Sequence, residues 1–118
     1  MRTLAFGTVI CALLASPVLA EGFQRIEDER GFLSLVEDKE LKRLGIRLKV
    51  TDDGRIMGKA FGRPVTGAWR WDSGYFCRDL EVGGDPLEFN CQLVQVSGRT
   101  MRFTSDRGEG IYADLKLD

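Results

Sequence analysis

The sequence contains no histidine among its 118 residues, and this absence excludes several kinds of site. Histidine is the side chain whose unperturbed pKa lies nearest neutrality, and it is the commonest metal ligand. Serine or cysteine nucleophiles that depend on histidine are therefore excluded, as is a zinc site that needs one. The chain also lacks internal repeats, low-complexity stretches and segments with the composition of a linker.

Neither sign of charge dominates, because 17 Lys and Arg stand against 18 Asp and Glu, a net charge of −1. A protein that binds nucleic acid needs a basic surface, so we expect no nucleic-acid partner. Beyond residue 20 no run of about 18 apolar residues occurs, so we expect no membrane span in that part. No motif for a cofactor or a metal is present, and we expect none to be bound.

Residues 1–20 have the features of a cleaved export signal. Arg2 supplies the positive start, an apolar run extends from Leu4 to Leu14, and Val-Leu-Ala at 18–20 precedes the expected cleavage point. The alternative is an uncleaved anchor, for which this apolar run is short. Cys11 lies in the middle of the run, where lipid modification is not expected. We therefore expect residues 21–118 to form a single small β-rich domain that is periplasmic or secreted.

The expected domain begins with one short helix and continues as strands. Asp28 is placed to cap a helix in which Phe32, Leu33 and Val36 recur at helical spacing. From Leu44 onward apolar residues alternate with polar ones, and turn signals recur every eight to twelve residues. The fold class predicted is mainly β, an antiparallel meander that forms an open curved sheet or a small barrel. About seven strands are predicted, over residues 44–50, 55–61, 65–71, 75–80, 87–96, 100–104 and 110–117.

Two cysteines lie beyond the export signal, Cys77 and Cys91, and an oxidising compartment predicts that they form a disulfide. If the hairpin turns at residues 72–74, Trp69 faces Cys77 and Trp71 faces Tyr75, and the next hairpin sets Cys77 opposite Cys91. We therefore predict an aromatic core of Trp69, Trp71 and Tyr75 beside the disulfide. Closing the loop between the two cysteines stabilises the fold by about 3 kcal/mol in the chain-entropy model. The alternative, a redox-active bridge, usually has the closer Cys-x-x-Cys spacing.

The same register gathers polar side chains on the opposite face of the sheet. Arg78 and Arg70 are suited to holding an anion there, and Phe76 supplies apolar contact. The partner would be an unidentified small ligand, a peptide or an envelope protein. The alternative is a solvated outer face without a ligand. The predicted binding face consists of Arg70, Phe76, Arg78, Asn90 and Gln92.

Three carboxylates are candidates for catalysis without histidine: Asp79, Glu88 and Asp106. The register places Asp79 on the Trp69 face, where a buried carboxylate with a raised pKa would be a candidate acid or base. The alternatives are a position at the rim of the sheet, or a bulge that turns Asp79 outward. The charged loop at residues 105–110 is either a turn with a local ion pair or a loop that grips a ligand. Because no catalytic constellation is complete, we assign no catalytic residue.

The segments Gly58–Trp71, Gly74–Arg78, Asn90–Gln92 and Phe103–Gly110 resemble a group of small exported alphaproteobacterial proteins of unknown function. Some of those proteins carry the name dihydrodipicolinate reductase. The resemblance covers nearly all of residues 21–118 and implies a periplasmic location, but it supplies no catalytic residues. A reductase of that kind needs a glycine-rich strand-to-helix turn and a parallel sheet for its nicotinamide cofactor, and this sequence has neither.

The tripeptide Gly67-Ala68-Trp69 is similar to the Gly-x-Trp motif of lipocalins. The motif has only two fixed residues, and here it lies in the middle of the chain, so it gives at most a hint of barrel-like curvature. Three functions follow from the sequence. The first is a non-enzymatic periplasmic binding or envelope-associated domain. The others are a carboxylate-based hydrolase or transferase, and a structural protein that docks through an edge strand or its helix.

Overall fold

The computed structural model describes residues 22–118, so the predicted export signal and Cys11 lie outside the described residues. Within them the chain forms ten strands and two helical segments. In chain order the elements are β1 (Gln24–Arg25), α1 (Glu29–Val36), β2 (Leu41–Arg43), β3 (Ile46–Val50), β4 (Arg55–Ala60), β5 (Arg63–Asp72), β6 (Tyr75–Val82), β7 (Asp85–Pro86), β8 (Asn90–Ser97), β9 (Thr100–Thr104), α2 (Ser105–Gly108) and β10 (Tyr112–Leu117).

Eight of these strands form a closed antiparallel barrel. Strands β2 to β6 pair with one another in chain order. β6 then pairs with β8, β8 with β9, and β9 with β10. The ring closes where β10 pairs with β2, with Leu117 opposite Leu41. The short strands β1 and β7 extend the sheet beside β8 and β6. The predicted mainly β meander is confirmed, and it takes the form of a barrel.

The helix α1 forms as its sequence predicts. The Asp28 carboxylate accepts a hydrogen bond from the backbone N–H of Gly31 at 2.8 Å, which satisfies one of the free donors of the first turn. Phe32 and Val36 on its apolar face are fully buried. The apolar face of α1 therefore packs against the barrel, with Phe32 and Val36 buried and Leu33 half-buried.

An aromatic cluster fills the end of the barrel beside α1. The Phe32 ring lies 5.4 Å from Trp69, 5.3 Å from Trp71 and 5.0 Å from Phe76, measured between ring centroids. Phe103 extends the cluster, with its ring centroid 5.5 Å from that of Phe76. We call this the closed end; its strand connections are residues 51–54, 73–74 and 98–99. The opposite, open end carries connections 44–45, 61–62, 83–89 and 105–111.

The predicted register of the β5–β6 hairpin is wrong by one residue. Its turn consists of Ser73 and Gly74 alone, both with positive φ (54° and 90°), as a two-residue hairpin turn requires. Trp69 consequently faces Arg78 and not Cys77. Because side chains alternate between the two faces of a strand, this single step reverses every face assignment of β5 relative to β6.

The disulfide is confirmed, but its surroundings differ from the prediction. Cys77 lies opposite Cys91 in the β6–β8 register, as predicted, with an S–S distance of 2.08 Å. The bridge is on the outer wall of the barrel, whereas Trp69 and Trp71 point inward. Tyr75 is also on the outer wall, so the predicted core of three aromatic rings beside the disulfide does not form.

The strand β2 was missed by the sequence pattern. Leu44 was expected to be the first apolar residue of a strand, but it lies in the β2–β3 turn and is 92% exposed. The inward residues of β3 are Ile46, Leu48 and Val50, in agreement with the predicted alternation. The missed strand is the one that pairs with β10 and closes the ring.

Candidate functional site

The open half of the barrel encloses a cavity of about 290 Å³. Eight strands leave an interior that is just wide enough for side chains or for one small ligand. The aromatic cluster fills the closed half, while shorter aliphatic side chains leave space in the open half. The walls of the cavity are mostly apolar, and they include Leu41, Ile46, Leu48, Val50, Leu80 and Leu115.

Arg78 places a guanidinium group among these apolar walls. It lies on the inner face of β6 because it pairs with Trp69 on one side and Asn90 on the other. One of its nitrogens, Nη1, donates a hydrogen bond to the backbone oxygen of Glu88 at 2.7 Å. A guanidinium has five N–H donors, so most of them are left for another acceptor.

The electrostatic environment of Arg78 is that of a charge partly removed from water. Burial lowers the pKa of its guanidinium, and the neighbouring Asp79 carboxylate acts in the opposite direction. An arginine remains protonated in proteins, so the consequence is a positive charge that has lost part of its hydration. Such a charge is stabilised by an anion that brings its own oxygens into hydrogen-bond range.

Two further polar side chains line the cavity. Gln92 projects from β8 opposite Phe76, two residues from the position that faces Arg78. Its side-chain amide makes no hydrogen bond within residues 22–118, so it has both donors and an acceptor to offer. Arg43 lies at the mouth, at the end of β2, and is exposed. Two positive charges and an amide thus lie against an otherwise apolar wall.

The structure places the five residues of the predicted binding face in different surroundings. Phe76, Arg78 and Gln92 all line the cavity. Arg70 lies on the outer wall opposite Cys77, with its guanidinium 5.2 Å from the centre of the Phe89 ring. Arg70 is therefore separated from the other four residues. The register differs by one residue from the predicted one, so Arg70 of β5 points outward and not to the side of Phe76 and Arg78.

Asn90 is on the inner side of β8, but its amide holds the loop at the open end. Its Nδ2 donates to the Asp106 carboxylate at 2.8 Å, and its Oδ1 accepts from the Asp106 backbone N–H at 2.9 Å. Arg107 lies over the ring of Tyr75, 5.0 Å from its centre, and Arg25 lies 4.8 Å from the same centre. The charged loop is therefore fixed against β8 and the outer wall.

None of the three candidate carboxylates lines the cavity. Asp79 is exposed on the outer wall, opposite Ala68, so its predicted place on the Trp69 face is wrong for the same register reason. Glu88 and Asp106 are also exposed. The carboxylate-based hydrolase hypothesis has no pair of carboxyl groups in the cavity on which to rest.

Sequence reasoning missed Arg43 as a residue of the site. The signal was present in the alternation of Leu41, Lys42 and Arg43, which puts the first and third on one face. It was hidden because Leu44-Gly45 was taken as part of a strand and not as a turn. Leu80 was likewise not recognised as an inward residue, because its face depends on the β5–β6 register.

Comparison with known protein families, with curated proteins and with solved structures finds no match for this chain. Neither helix within residues 22–118 is long and apolar enough to cross a membrane. Across those residues no three Cys, Asp or Glu side chains are grouped so that they could hold a metal ion. Within residues 22–118, the cavity with the Arg78 guanidinium is the candidate functional site.

Proposed function

We propose that this protein is a periplasmic binding protein whose barrel holds a small anionic amphiphile. The apolar body of the ligand lies in the cavity, and its anionic group is bound by Arg78 with help from Gln92. The observation that carries this proposal is the half-buried guanidinium of Arg78 inside an apolar cavity of about 290 Å³. Ligand sites combine mostly apolar walls with a few convergent polar groups in this way.

The size and charge of the cavity narrow the ligand class. A volume of about 290 Å³ lies at the lower limit for small-molecule sites, which favours a medium-chain amphiphile. No carboxylate lines the cavity, so an anionic ligand is not repelled by a negative charge there. An uncharged ligand with the same alkyl chain would fill the apolar space but would form no ion pair with Arg78.

The location in the periplasm rests on two features of the chain. Residues 1–20 have the pattern of an export signal, and Cys77 and Cys91 are joined by a disulfide of the kind that persists in oxidising compartments. The resemblance to small exported alphaproteobacterial proteins supports the same location. Cell fractionation followed by mass spectrometry of the mature N-terminus tests it.

The experiment that tests the ligand class compares decanoate with decanol by titration calorimetry. Hydrogen bonds to charged groups contribute about 1.5–3 kcal/mol. We therefore expect Arg78→Met to weaken decanoate binding by about 10- to 100-fold. Decanol binding should be much less affected, because it makes no ion pair. Arg70→Met is the matched control: it removes the same charge from the outer wall and should leave decanoate affinity unchanged.

Two outcomes would contradict the proposal. One is equal loss of decanoate affinity in Arg70→Met and Arg78→Met, which would mean that net charge and not the site attracts the anion. The other is the absence of binding across octanoate, decanoate and dodecanoate in a protein that melts cooperatively. A rise in melting temperature with ligand concentration gives an independent measurement, about 2.7 kcal/mol of added stability at 100 times the dissociation constant.

A further inference from the structure

We propose that the β2–β3 and β4–β5 turns at the open end of the barrel dock on an anionic lipid bilayer. The two ends of the barrel differ sharply in the chemistry of their strand connections. At the closed end the connections at 51–54, 73–74 and 98–99 contain only polar residues and glycine. At the open end, all four connections expose a large apolar side chain: Leu44 is 92% exposed, Phe61 73%, Phe89 47% and Ile111 84%. The connections 83–89 and 105–111 also carry exposed carboxylates, whereas 44–45 and 61–62 carry none.

Phe61 occupies a position that its side chain does not favour. It is the first residue of the two-residue β4–β5 turn and has φ of +52°, in the left-handed region. Gly is preferred there because it has no Cβ, and Asn and Asp because their short polar side chains can hydrogen-bond locally. An aromatic side chain has neither advantage. A strained residue whose ring also faces solvent indicates a role outside the fold.

The tips of the two hairpins contact each other. The Phe61 backbone N–H donates to the oxygen of Gly45 at 2.7 Å, and the Phe61 ring lies against Gly45, where a Cβ atom would be 2.3 Å from it. Leu44 is the next residue in the adjacent tip. The two turns, 44–45 and 61–62, are therefore held together through Gly45, and each presents one exposed apolar side chain, Leu44 and Phe61.

A row of cations lies behind these tips on the outer wall. The register sets Lys42 opposite Arg47 and Arg47 opposite Lys59, across three neighbouring strands. Like charges directly opposite one another are unfavourable in a sheet. Asp118 pairs with Lys42 at 2.5 Å and Glu40 lies 3.8 Å from Arg47, whereas Lys59 forms no ion pair within residues 22–118.

The spacing of tips and cations fits the interface of a bilayer. Lys42, Arg47 and Lys59 are each two residues from a tip, which is about 7 Å along a strand. Apolar groups of interfacial proteins enter the headgroup and acyl boundary by about 5–10 Å. With the tips at that depth, the cations lie level with the phosphates. Lys59 has no ion pair within residues 22–118 and is the cation most attracted to an anionic surface, whereas Lys42 and Arg47 already lie beside Asp118 and Glu40.

Charge complementarity favours a lipid surface over a second copy of the chain. A symmetric dimer through the tips would place the same patch on both subunits, and therefore bring one cation row toward another. An anionic bilayer satisfies both the apolar tips and the cations. The cavity opens at the same end, but docking is a property of Leu44, Phe61 and the cation row, and it does not depend on a ligand in the cavity.

Co-sedimentation of the exported protein with vesicles tests the proposal. We expect at least tenfold tighter binding to vesicles of equal parts phosphatidylglycerol and phosphatidylcholine than to phosphatidylcholine alone. The double variant Leu44→Ser, Phe61→Ser should lose at least tenfold in affinity for the anionic vesicles. Serine suits the Phe61 position, because Ser73 takes the same conformation in the β5–β6 turn with φ of +54°.

A charge variant with a matched control tests the cation row. Lys59→Gln should weaken binding to the anionic vesicles by about fivefold, the equivalent of about 1 kcal/mol. Lys49→Gln removes the same charge from the outer face of β3, four residues from Gly45, and should leave vesicle binding unchanged. Higher salt should reduce the difference between wild type and Lys59→Gln, because exposed charges are screened.

The outcomes separate docking from the proposed ligand. A cooperative thermal unfolding transition in the Leu44→Ser, Phe61→Ser variant shows that it is folded, whether or not decanoate binds, and vesicle binding then reports on the tips alone. Equal binding to neutral and anionic vesicles, or full vesicle binding by that variant, would overturn the docking proposal. So would a wild-type dimer in sedimentation experiments that the same two substitutions dissociate, because the tips would then be a protein interface.

Discussion

At the residue scale, Phe61 shows a conflict between backbone preference and side-chain placement. A non-glycine residue in the left-handed region costs about 1–2 kcal/mol, and asparagine bears that cost better than other side chains. We expect Phe61→Asn to raise the free energy of unfolding by about 1 kcal/mol, and hence the melting temperature by about 4–8 °C for a domain of this size. Thermal unfolding followed by circular dichroism measures the change.

Leu44→Asn is the control for that substitution. It also removes an exposed apolar side chain, but Leu44 does not have positive φ, so no comparable gain is expected. If Phe61→Asn instead lowers the melting temperature, the contact of the ring with Gly45 contributes more than the backbone costs. A stabilised variant that binds anionic vesicles less well would show that the open end retains Phe61 at the expense of stability.

At the scale of elements, the close approach of β5 and β6 depends on a glycine. A Cβ at Gly67 would lie 2.2 Å from the backbone oxygen of Asp79 on the neighbouring strand, so the strands would have to separate. We expect Gly67→Ala to destabilise the protein by about 1–3 kcal/mol, the usual cost of overpacking, as measured by urea unfolding. Thr66→Ala, on the exposed face of the same strand, should change stability little. Unchanged stability in Gly67→Ala would mean that β5 and β6 can separate at little cost.

The elements also show what sequence patterns determine and what they leave open. The fold class, the helix capped by Asp28 and the Cys77–Cys91 pair all follow from local signals, and the structure confirms them. The sequence around residues 72–74 is compatible with a three-residue turn or with a two-residue turn at 73–74. The alternation of apolar and polar residues in the flanking strands does not distinguish the two. The shorter turn moves Arg78 from the outer wall to the cavity, so the central residue of the candidate site depended on one residue of register.

At the scale of the whole molecule, closure of the barrel depends on a short seam between its first and last strands. Only Leu41–Arg43 and the end of β10 form it, and a local sequence pattern cannot show that strands near opposite ends of the domain will pair. Two ion pairs lie on the outer side of β10. Lys42 contacts Asp118 across the seam, and between β9 and β10 the Arg102 guanidinium holds Asp114 through two hydrogen bonds of 2.8 and 3.0 Å. The hydrogen bond from Lys42 lowers the pKa of Asp118, and that from Arg102 lowers the pKa of Asp114.

These depressed pKa values predict how the barrel responds to acid. A carboxylate with a lower pKa in the folded than in the unfolded state stabilises the fold above the unfolded value, about pH 3.9. That stabilisation is lost as pH falls through the folded pKa, since the unfolded chain then binds more protons. We expect the melting temperature of the wild type to fall steeply below about pH 4, and the double variant Asp114→Asn, Asp118→Asn to start lower at pH 7 and fall less. Both ion pairs are partly exposed, so added salt should narrow the difference between the two proteins at pH 7. Parallel melting curves from pH 7 to pH 2 would show instead that the acid response originates away from these two ion pairs.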